Sequence, residues 1–334
     1  MRLLVYDPAW PFYVPLLRAA LDSRWEVRAA ANDPAWLLRE LPEADALLAL
    51  RLPAEARAAA VPRLKALCFP GAGVMHEDAS ELPAGCRLCN VYEHEIPIAE
   101  YVMASVLLHV TRLCQYDQSF RSGRWDGNGR TGGEPHGEAR GKTLGLLGYG
   151  HIGQAIAVRA RSFGMRVMAV CRDPHRDLGA APAPDFLGGP ADLGDLLANS
   201  DFLAIACPLT SATRGLLGAP ELARLRHGAF LINVSRAEII DEDALYEVLR
   251  DGRIGGAALD VWYRYPAANN EILHGSRLPF HTLPNVLVTP HLAAWTHALL
   301  ERRMARIAGN LSRLARGEEL ERVVLVGTWR GEAQ

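Results

Sequence analysis

Gly148-Tyr149-Gly150-His151-Ile152-Gly153 follows directly on the apolar run Thr143-Leu144-Gly145-Leu146-Leu147, and a helix-like run from Gln154 to Phe163 comes after it. A short buried strand, a glycine-punctuated turn and a helix are the fingerprint of a dinucleotide site in a doubly wound α/β sheet. In that reading Gly148 allows the tight turn, Gly150 lets a pyrophosphate approach the backbone, and Gly153 lets the helix pack on the strand. The pyrophosphate then sits at the positive end of the helix, where N–H groups lack partners. The competing reading is a plain βα turn. A second strand-like run, Arg166 to Val170, stands where the dinucleotide reading needs it.

Around this motif, short apolar runs alternate with helical spacing, the pattern of a parallel sheet with helices on both faces. Before it, strands are expected at Leu3–Tyr6, Trp25–Ala29, Ala46–Leu50, Leu64–Phe69 and Arg87–Val91, a complete small α/β unit. A long helix is expected from about Ile98 to Ser122, opened by Pro97, and a glycine-rich loop from Arg121 to Arg140. After the motif, strands are expected at Phe202–Ala206, Ala229–Asn233, Ala257–Val261 and Val286–Thr289, then a long amphipathic helix from Thr296 to Arg316.

The chain has 334 residues, is 49% hydrophobic and carries a formal net charge of -2, enough for two domains and with no basic excess to suggest nucleic acid or a membrane surface as partner. No apolar run reaches membrane-spanning length, and Met1 to Asp7 reads as a first strand rather than a signal peptide. Cys86-Arg87-Leu88-Cys89 has CxxC spacing, but no second ligand pair follows and the segment runs into a strand. Both are expected to be reduced structural thiols, with no metal site and a cytoplasmic chain.

Three further segments place polar groups where strands end, the place where ligands of open α/β sheets gather. They are Phe230 to Leu245 (with Asn233, Val234, Ser235, Arg236), Gly255 to Trp262 (with Asp260), and Val286 to Thr296 (with His291). With these, with Cys207-Pro208-Leu209-Thr210-Ser211-Ala212-Thr213 and with Ala99-Glu100, nearly the whole chain resembles the D-isomer-specific 2-hydroxyacid dehydrogenase family. The resemblance implies two doubly wound parallel-sheet domains, Rossmann-like and flavodoxin-like, with the cofactor domain (98–296) inserted into a discontinuous substrate domain (1–97 and 297–334) and the active site in the cleft. It implies hydride transfer between NAD(P)(H) and a small 2-hydroxy or 2-oxo acid, and a homodimer built on the helix from Ile98 and the loop around Arg121 to Trp125.

By the same resemblance, Arg236 binds the substrate carboxylate, which suits a guanidinium fork that stays charged at any working pH. His291 is the general acid/base, a job for a group that titrates near neutrality. The cofactor is assigned to the glycine turn (Gly148, Tyr149, Gly150, His151, Ile152, Gly153), to Cys207, Pro208, Thr213, Val234 and Ser235, and to Asp260, for which a strand-end cap is the other reading. On the substrate side, Pro70-Gly71-Ala72-Gly73-Val74 matches a glycine turn offering backbone N–H groups to the carboxylate. Tyr92, Glu93, His94 and Glu95 also face the cleft, His94 as the substrate-side residue.

Two positions depart from the family pattern. A glutamate usually lies five residues after the aspartate and orients the histidine; here that position is Tyr265. Three arrangements stay open: Tyr265 substitutes, Glu93 or Glu95 reaches His291, or the chemistry differs. A neutral phenol implies a His291 pKa below that of glutamate-bearing relatives. At the end of the second strand, the acidic residue that selects NAD is replaced by Cys171, followed by Arg172 and Asp173. Arginine suits a 2′-phosphate, which favours NADP, while Asp173 pulls toward NAD. Phosphite or formate oxidation and a dinucleotide-sensing scaffold are the alternative functions.

Overall fold

The computed structural model describes residues 1–53, 56, 63–73, 78–179, 182–267 and 271–329; Val74 lies outside them. The chain forms two compact units, Met1–His94 with Trp295–Gln334, and Glu95–Ala294. In the first unit, β1 (Arg2–Tyr6), β2 (Glu26–Ala30), β3 (Ala46–Ala49), β4 (Ala66–Cys68) and β5 (Arg87–Cys89) pair in parallel. Leu3 to Val5, Ala46 to Ala49 and Ala66 to Cys68 are buried throughout, as unbroken apolar strands covered on both faces must be. Leu17 of the helix Trp10–Ala20 packs on one face and Leu37 of the helix Pro34–Glu40 on the other.

The second unit holds β6 (Thr143–Leu147), β7 (Arg166–Val170), β8 (Phe186–Gly188), β9 (Phe202–Ile205), β10 (Phe230–Asn233), β11 (Gly256–Leu259) and β12 (Val286–Val288). All seven are parallel, in the order β12-β11-β10-β9-β6-β7-β8. The chain leaves β6 outward through β7 and β8, then returns to β9 on the other side of β6. That reversal is the topological switch point of a doubly wound sheet, and Gly148 follows the strand that forms it.

The final helix, His297–Arg316, returns to the first unit, where Leu300, Met304, Ile307 and Leu311 join the core beside β1. Its N-cap Thr296 accepts from the Leu299 N–H, and Gly317 ends it in the left-handed region at φ 74°. β13 (Val323–Val326) then pairs antiparallel with β5, giving the order β13-β5-β4-β3-β1-β2. Cys86 and Cys89 are buried, unbridged thiols on the approach to and inside β5. Burial pushes them up to about 12 and about 11, so neither is a thiolate near neutral pH.

The long helix expected from Ile98 to Ser122 is in fact two helices, Glu95–Thr111 and Leu113–Arg121, bent by 56°. Arg112 breaks it in the left-handed region at φ 52°, and the Gly137 N–H takes the Val110 carbonyl at 2.9 Å from across the following loop. The short edge strands β8 and β13 stand outside the strands expected from sequence. Among the described residues, no single helix is long and apolar enough to cross a membrane.

Candidate functional site

The glycine turn is built by three different constraints. Gly148 sits at φ 107°, and a Cβ there would lie 2.5 Å from the Cys207 backbone N. A Cβ on Gly153 would lie 2.3 Å from the Gly148 carbonyl oxygen, so this position sets how closely the helix His151–Ser162 packs on the turn. Gly150, by contrast, faces open space, with nothing within 4 Å of its Cβ position, and it opens the helix without a side-chain cap. Among the described residues the amides of Gly150 and Ile152 have no acceptor within the protein. The cradle therefore fits a pyrophosphate by its own geometry.

The Tyr149 side chain is not exposed in this cradle. It is 1% exposed, lies in the core and donates its hydroxyl to the Pro182 carbonyl, so only its backbone faces the turn. His151 is exposed, and Ile152 packs partly against the core.

These constraints separate two substitutions. Gly150→Val is expected to fold at wild-type stability and lose at least about tenfold in dinucleotide affinity, because its side chain occupies phosphate space. Gly153→Val must push the helix off the turn, which costs about 1–3 kcal/mol of stability, as overpacking does. Thermal unfolding and fluorescence titration of both variants check the split; equal destabilisation of the two would contradict it.

At the ends of β10, β11 and β12, three strand termini converge on His291. Asp260, 2% exposed, follows β11 and accepts from the Thr289 hydroxyl (2.6 Å), the Leu292 N–H (2.8 Å) and the Ala293 N–H (2.9 Å). The Thr289 hydroxyl hydrogen is spent on Asp260, so Tyr101, 2.7 Å away on the helix Glu95–Thr111, donates to Thr289. This chain of donors holds His291 in the left-handed region at φ 57°, with its own N–H on the Thr289 carbonyl at 3.1 Å. Asp260 thus grips the loop that carries His291, the strand-end role left open by the sequence.

His291 Nδ1 lies 2.8 Å from the Tyr265 hydroxyl, which also accepts the Trp262 N–H at 3.2 Å. Of the three arrangements the sequence left open, the structure has Tyr265 on the histidine. The protein packed around the ring pushes the His291 pKa below the usual histidine value; the Asp260 charge opposes this and the Arg236 charge adds to it. Burial holds the Tyr265 phenol above its usual value, so it is a neutral hydroxyl at working pH.

Arg236 follows β10 in extended conformation. Asn233, 1% exposed, shapes this turn: its Oδ1 accepts the Ser235 N–H and its Nδ2 donates to the Arg236 carbonyl. The Ser235 hydroxyl donates to the Cys207 carbonyl, tying the ends of β9 and β10 together. The half-buried Arg236 guanidinium donates once, to the Ser235 carbonyl at 2.7 Å, and has no carboxylate partner among the described residues.

At the end of β7, Cys171 donates its thiol to the Asp173 carbonyl, and the Asp173 carboxylate turns back to cap the His175 N–H at 3.0 Å. Arg172 is exposed and makes no ion pair among the described residues, while Arg176 donates to the Tyr149 carbonyl. After β9, Cys207 is buried and Pro208 exposed. The Thr213 hydroxyl is used inside this loop, donating to the Pro208 carbonyl and accepting the Thr210 N–H, so it shapes the loop. Val234 is buried in the core.

In the first unit the loop after β4 turns its carbonyls inward. Pro70 accepts from Arg303, Gly71 from the Val91 N–H and Ala72 from the Asn90 amide. Among the described residues, the amides of Gly71, Ala72 and Gly73 donate to no other group in the protein. A Cβ on Gly71 would lie 2.8 Å from the Phe69 ring, and Gly73 faces open space. The Glu93 carboxylate pairs with Arg302 and Arg306 at 3.4 and 3.2 Å, while the half-buried His94 stacks on Tyr92. Tyr101, Thr289 and the Trp262 N–H were missed by sequence reasoning. Only Thr289, a polar residue ending a strand, carried a signal.

The fold and the glycine cradle define a dinucleotide-binding α/β protein. The profile of the D-isomer specific 2-hydroxyacid dehydrogenase NAD-binding domain matches residues 103–293. The chain is 31% identical over 299 residues to the glyoxylate reductase of Thermococcus kodakarensis, spanning 84% of this chain and 83% of that protein. It is 34% identical over 313 residues to the D-3-phosphoglycerate dehydrogenase of Mycobacterium leprae, 90% of this chain but 55% of the relative. The chain thus spans about half the length of such phosphoglycerate dehydrogenases. Among solved structures, the NADPH-dependent glyoxylate/hydroxypyruvate reductase of Sinorhizobium meliloti in complex with NADP and sulfate superposes with a TM-score of 0.76 at 27% identity, covering 97% of this chain and 98% of that one. The chain belongs to the D-isomer specific 2-hydroxyacid dehydrogenase family.

Proposed function

We propose that this chain is an NADP(H)-preferring oxidoreductase that interconverts a small 2-oxo acid and its 2-hydroxy acid. The observation that carries this reading is Arg236, a half-buried guanidinium without a carboxylate partner, whose charge is felt by the ring of His291. A fixed, unpaired fork beside an acid/base group suits a substrate that brings its own carboxylate.

When bound, the nicotinamide supplies the hydride for reduction and accepts it in oxidation. The amides of Gly150 and Ile152 would hold the pyrophosphate, in a turn that Gly148 and Gly153 make possible. Arg236 binds the substrate carboxylate and draws electron density from the adjacent carbonyl. With Nδ1 occupied by Tyr265, His291 uses Nε2, donating a proton to the carbonyl oxygen as it becomes a hydroxyl, or taking that proton back in oxidation. Asp260 and Thr289 hold the histidine loop. Turnover of glyoxylate, hydroxypyruvate and phenylpyruvate, with phosphite and formate as comparison donors, tests the reading. Binding of NADPH with no turnover of any of them would contradict it.

The preference for NADP rests on Arg172, exposed and without an ion-pair partner, next to an Asp173 whose carboxylate is turned onto His175. Removing a charge-assisted contact to the 2′-phosphate costs about 1.5–3 kcal/mol. Arg172→Ala is therefore expected to lower kcat/KM for NADPH at least about tenfold and to leave NADH unchanged. An equal loss with both cofactors would show that Arg172 does not read the phosphate.

A further inference from the structure

Resting on the reading above, we propose that Tyr265 holds the neutral His291 ring as its Nε2–H tautomer, so that the histidine still donates a hydrogen bond to a 2-oxo acid after losing its charge. A hydroxyl has one hydrogen to give. The Tyr265 oxygen accepts the Trp262 N–H at 3.2 Å, and the only other polar partner it has among the described residues is His291 Nδ1 at 2.8 Å. With one lone pair of that oxygen already taken by the Trp262 N–H, the arrangement favours the phenol hydrogen on Nδ1 and the ring proton on Nε2.

The loop carrying Tyr265 is pinned for this task. The Trp262 indole donates to the Thr289 carbonyl at 2.8 Å, and the Arg264 N–H donates to the Gly275 carbonyl at 2.9 Å. Gly275 lies so close under the indole that a Cβ would sit 2.6 Å from it. Within this unit the charges around the pair are Asp260 and Arg236, with Glu238 acting on the phenol. Asp260 offers Nδ1 no competing acceptor, since its carboxylate is taken by Thr289, Leu292 and Ala293.

A carboxylate in place of Tyr265 could only accept. It would draw the neutral ring's proton to Nδ1 and leave Nε2 as a bare lone pair, so that 2-oxo acid binding and proton donation would be lost together as pH rises. Tyr265 uncouples them. Proton donation still needs the imidazolium, whose Nδ1–H turns to the phenol oxygen while the phenol hydrogen turns to solvent across a ring that is 50% exposed. Binding of the oxo acid needs only Nε2–H, which both protonation states present. Tyr265 is thus a positioning residue, and its signature is a split between KM and kcat.

The test has two parts. Nitrogen-15 NMR of the protein above the His291 pKa should place the proton on Nε2 in the wild type and on Nδ1 in Tyr265→Glu. Binding of oxamate, an unreactive 2-oxo acid isostere, to the complex with NADPH should change less than about threefold across the pH range in which kcat falls about tenfold. In Tyr265→Glu the two should fall together, about tenfold per pH unit above that histidine's pKa. A wild-type ring protonated on Nδ1, or oxamate affinity that tracks kcat, would overturn the proposal. If oxamate binds at no pH, the functional reading fails, and the NMR result alone decides the tautomer.

Discussion

Replacing His291 with asparagine is expected to cut 2-oxo acid reduction by about 10²–10⁴-fold, the usual contribution of a positioned acid/base group, with NADPH affinity unchanged. The expectation follows from the care with which the ring is placed. Its backbone is held at φ 57° by Asp260 on the residues that follow it, and its Nδ1 is taken by Tyr265. The pH dependence has a definite sign. The protein packed around the ring lowers the His291 pKa, so the imidazolium that donates the proton disappears at a lower pH than for an ordinary histidine. Reduction should therefore be fast in acid and fall as pH rises through that lowered pKa, and the asparagine variant should lose this limb. Tyr265→Glu brings an opposite charge to Nδ1 and should shift the limb to higher pH. An unmoved limb would mean that Tyr265 does not govern the histidine.

Arg236→Gln is expected to lower kcat/KM for the oxo acid by about 10²–10³-fold, the loss typical of one electrostatic contact to the reacting group, in a protein of unchanged thermal stability. Stability should hold because the guanidinium makes no ion pair among the described residues and one hydrogen bond, to its neighbour's carbonyl. The turn itself depends on Asn233, which bonds the backbone of residues 235 and 236. Arg236→Lys keeps the charge but loses the fork, so it should recover only part of the activity. A wild-type KM in Arg236→Gln would place the carboxylate elsewhere. Removal of Arg236 also takes a positive charge from the histidine, so the pKa of His291 should rise.

The parts of this molecule written locally in the chain were legible in it. The spacing of the 148–153 glycines between a strand and a helix marks the turn, although the close approach that requires Gly148 is to Cys207 on a distant loop, and the unbroken apolar strands announce a sheet covered on both faces. A parallel, doubly wound sheet followed from alternation and from the family resemblance, whereas the strand order and its switch point at β6 came only with the fold. Other features depend on partners distant in the chain. Arg112 breaks a run of good helix formers because a carbonyl two residues earlier is taken by Gly137. β8 and β13 are edge strands of three and four residues, too short for periodicity to separate from loop. The relay from Tyr101 through Thr289 to Asp260 joins three elements, and nothing near Tyr101 signals it. The hydroxyl of Thr213 and the ring of Tyr149 turn into the protein, which the family motif does not disclose. Tyr265 was visible as a departure from the family pattern, whereas its bond to His291 required the fold.

The central claim is that the dinucleotide cradle and the Arg236–His291 pair serve one reaction, hydride transfer to the C2 carbon of a 2-oxo acid. The most direct measurement follows deuterium from C4-deuterated NADPH during reduction of glyoxylate or hydroxypyruvate by the purified protein, with product analysis by mass spectrometry and NMR. The account predicts one deuterium on C2 of the 2-hydroxy acid, formed at a rate that Arg236→Gln and His291→Asn each lower at least about a hundredfold. Cofactor bound without deuterated product, or deuterated product formed equally fast by both variants, would contradict it.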